Sequence, residues 1–435
     1  MENKNKNTKN DNKLKDIAKN IDKSIESKKE SQTKKLSKSS IIQGSSKSGF
    51  PGQKKQIHLS LELLNKDYTF YEKASFSNKS IGSLKSYGYN TFHGLFKEIN
   101  EDKIIVINQI KKPASSKMKT WPKISYFGIF DGHGGEGCSE FLKNNLLNYL
   151  IDNKNFPFDI KTGLTESFEK AEEEFFKLKC SGDIEHCDKS GSCALVSILF
   201  DNKIYIANLG DSRAIMSMNS GTKVKQLTND HKPDNPKEFE RVIKNGSKIY
   251  IDDNDDPHRD PSKLTFIKDK AELEKSKSNN KSNEEMIFRV YPSDLAVTKS
   301  IGDIKAKKKE FGGKQGSIIN KPDIFIHDIN STDDFLVMGC DGIFDDLSNQ
   351  EVSDAAWFVF KNLSKEKNYD IHELSQDACD IIMKFALEKQ TSDNLSCIVI
   401  GFEGLEKFLK NKSTKEKVNN SINNFKKNHK TQTYK

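Results

Sequence analysis

The sequence lacks any CxxC pair: its seven cysteines, Cys138, Cys180, Cys187, Cys193, Cys340, Cys379 and Cys397, are odd in number and scattered. Neither a disulfide framework nor a structural zinc site is therefore indicated, and a reducing compartment fits. No stretch approaches 18 apolar residues, which argues against a spanning helix. The start, MENKNKN, has no apolar core of a signal peptide, and Glu2 stands where myristoylation would need glycine. A soluble protein in the cytoplasm, or also in the nucleus, is the expectation. There is no GxxxxGKS/T loop and no dinucleotide fingerprint, so a nucleotide-processing enzyme lacks its usual phosphate cradle.

Hydrophobic residues are also scarce, at 34%, against 31% charged. Part of such a chain is expected to stay outside any packed core. Residues 1–50 carry 13 lysines against six acids, and residues 403–435 carry nine lysines against three, which leaves the body at a charge of −5 within an overall +8. The basic character belongs to the ends, which have few aromatics to interleave with bases. Specific nucleic-acid binding is thus not expected, and weak contact of the tails with anionic surfaces is. The predicted organisation is a disordered Lys/Asn/Ser-rich tail over 1–55, a catalytic domain over 56–403 and a basic tail over 404–435. Residues 252–286, rich in charge, Pro, Ser and Asn, read as a surface insertion within that domain.

What the body does contain is a series of short apolar runs: SYFGIF at 125, ALVSILF at 194, KIYIAN at 203, DFLVMGC at 334 and SCIVIGF at 396. Their length predicts strands, and the Asp201-Asn202 link predicts a hairpin between the second and third. Helical spacing puts Leu164, Phe168, Ala171, Phe175 and Leu178 on one face, and Leu374, Ala378, Ile381 and Phe385 on another. Sheets covered by helices follow from this pattern.

Acids gather at the ends of those runs. Asp131 follows YFGIF, Asp211 follows IYIANLG, Asp341 and Asp345 follow FLVMGC, Asp393 precedes LSCIVI, and Glu101 with Asp102 precedes KIIVI. Each alone reads as a polar turn. If the five ends converge, the carboxylates repel one another and need a cation, and an all-oxygen donor set suits Mg²⁺ or Mn²⁺ rather than zinc or copper. The segment FDGHGG raises a related question, because glycines punctuate a turn and also let a ligand approach bare backbone.

Seven segments, FGIFDGHGG, SGSCALVSI, IANLGDSRA, LTNDHKPDNPKEFERV, LAVTKSIGD, GCDGIFDD and TSDNLSCIVI, occur in the order found in metal-dependent serine/threonine phosphatases of the protein phosphatase 2C type. The resemblance covers roughly residues 80–402. It implies an α+β fold, a four-layer αββα sandwich of two antiparallel sheets flanked by helices with the metal site at one edge. It also implies two ions, with a weaker third. Carried over by matching position, Asp131 bridges both ions, the Gly132 carbonyl binds one of them, and Asp341 and Asp393 complete the other. Glu101 and Asp102 match the acidic pair that holds the second ion directly or through water, and Asp211 and Asp345, with Asp341, match the third site. His133 matches the proposed general acid.

The activity so implied is hydrolysis of phosphoserine and phosphothreonine esters in phosphoprotein substrates by a monomer, a bridging water or hydroxide attacking without a covalent intermediate. The alternative is a catalytically weak pseudophosphatase acting as a scaffold. One departure stands out: Lys97 occupies the place, five residues before Asp102, where the family usually has an arginine that grips the substrate phosphate. Lysine keeps the charge and loses the fork, so weaker phosphate binding is expected. In DHKP, Asp230 and His231 read as structural. The insertion, with Asp252, Asp253, Asp255 and Asp256, reads as filler or as a segment able to reach the metals.

Overall fold

In the computed structural model the described residues are 59–114, 116–180, 184–252, 261–279, 286–363 and 370–411. The expected tail over 1–55 lies outside them. Strands form because β-branched and aromatic residues alternate between two covered faces. One antiparallel sheet runs β1 (Ser75–Phe76), β2 (Ser86–Phe92), β17 (Leu395–Gly401), β16 (Asp333–Gly339), β9 (Arg213–Met218), β10 (Lys223–Gln226). The other runs β15 (Asp323–Asp328), β8 (Lys203–Leu209), β7 (Ala194–Phe200), β4 (Ile124–Phe130), β3 (Lys103–Ile107). The predicted hairpin is present, closing at Phe200↔Lys203 with Asp201 at φ 53°.

Strand β4 explains the layering. All seven of its residues are buried, although a half-covered strand would alternate. Phe127 and Ile129 point into the core shared with β9, β16 and β17, whereas Ile124, Tyr126 and Phe130 join a second core beneath helices α1 (Gly137–Ile151) and α2 (Ile160–Lys179). Helices α5 (Asn349–Asn362) and α6 (Ile371–Glu388) cover the far side of the six-stranded sheet. The result is the expected four-layer αββα sandwich. Each large apolar side chain buried in these layers contributes roughly 1.5–3 kcal/mol.

Two helix readings differ in detail. Leu374, Ala378, Ile381 and Phe385 are all buried, as are Leu164, Phe168, Ala171 and Phe175, but Leu178 is exposed because the stripe outruns the last buried position. Cys180, which ends α2, is joined to Cys187 by a disulfide, a pairing that cysteine spacing did not single out. The remaining five cysteines are free and buried.

The segment read as an insertion is partly built in. Strands β11 (Lys248–Asp252), β12 (Thr265–Ile267) and β13 (Ile287–Tyr291) form a small antiparallel sheet, and Lys270–Asn279 is helical. Ile249, Ile267, Leu273, Phe288 and Val290 pack with Phe239 and Val242 of α3 (Pro236–Lys244) into a third core. So few apolar residues among so many charges hid this flap from a composition argument. Asp252 is held by Arg289, Nε to Oδ2 at 2.5 Å, while Asp253, Asp255 and Asp256 lie outside the described residues. At the other end, residues 403–411 are helical, with Leu405 buried and Phe408 against Trp357 at 4.9 Å, so ordered packing continues past the expected boundary at 403. Among the described residues no helix is long and apolar enough to cross a membrane.

Candidate active site and metal centre

The topology delivers all five acidic segments to one edge of the sandwich. β3 pairs with β4 as Lys103↔Phe130, so Asp102 and Asp131, one step outside that pair, meet. Ala194↔Leu209 at the end of β7 and β8 brings Asp211 alongside. Gly339↔Cys397 does the same for the ends of β16 and β17, which carry Asp341 and Asp393. Beyond Gly339 the short helix α4 (Asp341–Phe344) begins, and the Cys340 amide donates to Ser396 O at 3.2 Å, which ties the two acids' segments together.

A cavity of about 510 Å³ opens here, walled by Asp131, Gly132, His133, Asp211, Asp341, Asp345 and Asp393 on the sandwich side and by the flap on the other. Glu101 and Asp102 stand behind the wall. The Glu101 side chain accepts from the Gly135 amide at 2.5 Å, its amide donates to Asn394 Oδ1 at 2.9 Å, and Asp102 is buried. Gly132 has a steric reason to be glycine, since a Cβ there would lie 2.4 Å from the Glu101 carbonyl oxygen.

Burial, and then the charge of neighbouring acids, raises the pKa values of four of these carboxylates. Burial, then the charges of Asp341, Asp102, Asp211 and Asp393, holds Asp131 well above the usual range. Asp341 is pushed the same way by burial and by Asp211, Asp345 and Asp393. Burial raises Asp102 to about 6 and also raises Asp211. A divalent cation would reverse that cost. Two observations show that the residues fit one: Asp131 Oδ2 and Asp102 Oδ2 are buried without a hydrogen-bond partner, and the donors are carboxylate oxygens, which hard ions prefer.

His133 lies on the short strand β5 (Gly132–His133), paired with β6 (Gly191–Ser192), which in turn pairs with β14 (Ile301–Gly302). That ribbon brings Asp303 to the imidazole: Nε2 is 3.0 and 2.9 Å from the two carboxylate oxygens. Burial alone would lower the His133 pKa, but the Asp303 carboxylate outweighs it and raises the imidazole above its ordinary value. Asp303 in turn is held low by His133 and by a hydrogen bond from Ser300 Oγ at 2.5 Å, despite its burial.

Lys97, on the loop between β2 and β3, reaches the cavity wall and pairs with Asp393, Nζ to Oδ1 at 2.8 Å. Burial would lower its pKa, and Asp393, Glu101 and Asp341 raise it instead. His231 and Asp230 are structural, as expected. His231 is buried with Nδ1 3.0 Å from Gly210 O, and Asp230 accepts from Arg213 Nη2 at 2.5 Å.

Three residues escaped the sequence reading. Asp303 sits in the quoted segment LAVTKSIGD, but nothing there pairs it with a histidine 170 positions away. Cys193 places its thiol 3.4 Å from Asp211 Oδ1, and its sulfur groups with carboxylates of Asp131 and Asp211 within metal-holding distance. Lys232, in DHKP, puts its ammonium 2.6 Å from Asp345 and 3.9 Å from Asp211, among the acids expected to form the weaker third site.

Residues 87–395 match the family described as Protein phosphatase 2C. A probable protein phosphatase 2C of Oryza sativa subsp. japonica is 26% identical across 76% of this chain and 76% of its own. Protein phosphatase 1A of Oryctolagus cuniculus is 26% identical across 75% of this chain and 73% of its own. A protein phosphatase 2C homolog of Hypocrea jecorina is 28% identical across 67% of this chain but only 56% of its own length. Among solved structures, a serine-threonine phosphatase 2C from Toxoplasma gondii superposes with a TM-score of 0.54 at 18% identity, covering 76% of this chain and 98% of that one.

Proposed function

Because the chain belongs to the protein phosphatase 2C family, whose members are metal-dependent phosphatases, we propose that it hydrolyses phosphoserine and phosphothreonine esters of proteins at this cleft. Asp131, the Gly132 carbonyl, Asp341 and Asp393, with Glu101 and Asp102 behind them, would hold two Mg²⁺ or Mn²⁺ ions, and Asp211 and Asp345 with Asp341 a weaker third. When bound, the ions supply Lewis acidity that activates water and offsets charge on the phosphoryl oxygens.

The chain's own groups do the rest. His133 Nε2 is engaged by Asp303, which leaves Nδ1 to protonate the departing serine or threonine oxygen. The carboxylate beside it favours the protonated ring that such a donor requires. Lys97 is a cation on the cavity wall and attracts the substrate phosphate, exchanging part of its contact with Asp393 for it. Its single ammonium cannot form the paired contacts of a guanidinium. The two thiols beside the acids, Cys193 and Cys340, are unsuited to nucleophilic catalysis, because burial holds them well above their ordinary pKa. On this reading the chain acts as a monomer in the cytoplasm or nucleus, its lysine-rich ends in weak contact with anionic surfaces.

The observation that carries the proposal is the gathering of five strand-end acidic segments around one cavity, with two buried carboxylate oxygens lacking any protein partner. The test is release of phosphate from a phosphothreonine peptide with Mn²⁺, with Mg²⁺ and with EDTA. Turnover that requires a divalent ion supports the assignment. A folded, ion-loaded chain inactive on peptides and on p-nitrophenyl phosphate would favour a scaffold.

A further inference from the structure

The loop that brings Lys97 to the cleft also carries three apolar side chains into solvent. Leu95 is 47% exposed, Phe96 65% and Ile99 61%, and Phe70, whose ring lies 6.3 Å from that of His93 at the base of the loop, is 81% exposed. These are four of the nine large hydrophobic side chains exposed among the described residues. An apolar cluster of that kind on a soluble surface marks a place where something binds.

The loop is fixed rather than loose. Asn394 Nδ2 donates to His93 O at 2.9 Å and to Ile99 O at 3.0 Å, closing both ends. His93 Nδ1 lies 2.9 Å from Lys97 O. Gly94, at φ +82°, sits so close that a Cβ would lie 2.4 Å from Asp393 O. The apolar ridge is therefore anchored to Asn394 and Asp393, the same pair of residues that borders the acidic cluster. A surface already ordered costs little entropy to occupy.

Resting on the phosphatase reading above, we propose that Leu95, Phe96 and Ile99, with Phe70, form a docking surface for an apolar side chain of the phosphoprotein substrate, within about three residues of the phosphorylated position. Position selects this occupant. Lys97 points to the cavity from within the ridge, so a phosphoryl group in the cavity places the flanking substrate residues across it, at no more than about 3.6 Å of chain per residue. On the flap side of the cavity, Ile287 is exposed as well. A phosphorylated residue entering the cavity beside the ridge favours apolar neighbours.

The experiment compares two phosphothreonine peptides, identical except that one carries Leu and the other Ser at positions −2 and +2, on the full chain with Mn²⁺. p-Nitrophenyl phosphate, which has no flanking residues, serves as the control. The wild-type chain is expected to favour the Leu peptide at least tenfold in kcat/KM. The variant Leu95→Ser/Phe96→Ser/Ile99→Ser is expected to bring the two peptides within about twofold of each other while p-nitrophenyl phosphate turnover stays unchanged. If the triple variant loses that control activity, Phe96→Ser alone provides the comparison, with a partial loss of preference expected. Absence of a preference in the wild type, or its persistence in the variant, would overturn the docking surface and leave the phosphatase reading intact. So would a wild-type dimer, measured by light scattering, that the triple variant dissociates, or equal gains on both peptides after deletion of residues 1–58. No turnover of any of the three substrates would overturn the phosphatase reading and this surface with it.

Discussion

His133 Nε2 and Asp303 Oδ2 lie 2.9 Å apart across 170 positions of sequence, joined through a ribbon of three two-residue strands. Asp303 itself adopts the left-handed region, at φ 52°, a conformation that costs a non-glycine residue of order 1 kcal/mol and persists where surrounding contacts demand it. Those contacts are the imidazole and Ser300.

Asp303→Ala is therefore expected to lower kcat on a phosphoserine peptide by roughly 10²-fold, the low end of what a positioned acid supplies. The loss on p-nitrophenyl phosphate should be much smaller, because p-nitrophenolate departs without a proton. The pH profile gives a second readout. If His133 is the proton donor proposed above, the active form has it protonated, so turnover of the peptide is expected to fall as pH rises through its pKa, which Asp303 raises. Removing Asp303 should move that fall to lower pH. Equal losses on both substrates with an unmoved profile would refute the positioning role.

Lys97 offers a test by gain as well as loss. Lys97→Ala should raise KM for a phosphopeptide about tenfold, the worth of one charge-assisted hydrogen bond of roughly 1.5 kcal/mol. Lys97→Arg restores the fork and should lower KM severalfold below wild type. Steady-state kinetics on both variants decides it, and identical KM values for all three chains would make Lys97 a bystander.

The acidic cluster predicts an unusual dependence of stability on pH. Asp131, Asp341, Asp211 and Asp102 have folded pKa values above their unfolded ones, with Asp102 at about 6. Such groups bind more protons folded than unfolded, so stability falls as pH rises from the ordinary carboxylate range near 4 through about 6 and beyond. In EDTA, the unfolding temperature should drop across that window. Mg²⁺ should restore it, and by more at pH 8 than at pH 5, where protons compete. A melting temperature in EDTA that rises across the window would contradict the crowding of charge described here.

Two glycines separate backbone strain from steric fit. Gly246, at φ +83°, has nothing within 4 Å of an added Cβ, whereas Gly210, at φ +106°, would put one 2.2 Å from Cys193 Sγ, next to Asp211. Gly246→Ala should cost roughly 1–2 kcal/mol, the left-handed penalty alone. Gly210→Ala adds overpacking of about 1–3 kcal/mol and should weaken Mn²⁺ binding by displacing Asp211. Chemical denaturation and ion titration measure both, and equal costs would deny the close contact.

Much of this site could be read in the sequence because strands announce themselves locally. Asp131, Asp211, Asp341 and Asp393 flank apolar runs, and their convergence required only that the runs pair as antiparallel sheets. That helices cover the sheets was legible for the same reason, through the periodicity of α2 and α6, whereas the four-layer αββα order was what the family resemblance implied. What could not be read was long-range or sparsely encoded. Asp303 reaches His133 only through the ribbon of β5, β6 and β14, each too short to leave a pattern. Lys232 was one lysine among many until the fold set it beside Asp345. Strand β12 spans three residues in a charged segment, and the docking ridge at 95–99 resembles a core-facing run until its exposure is known. The Cys180–Cys187 bond closes a loop whose spacing matches no standard motif.

The most direct test of the central claim is the rate at which the purified chain hydrolyses a phosphothreonine peptide in Mn²⁺, measured beside Asp131→Asn with folding verified by circular dichroism. Asp131 is the acid at the centre of the cluster, and its replacement by a neutral isostere leaves shape while removing charge. The account predicts ion-dependent turnover by the wild type and a loss of at least about 10³-fold in the folded variant, on the order of 4 kcal/mol of transition-state stabilisation. Comparable turnover by Asp131→Asn, or by the wild type in EDTA, would contradict it.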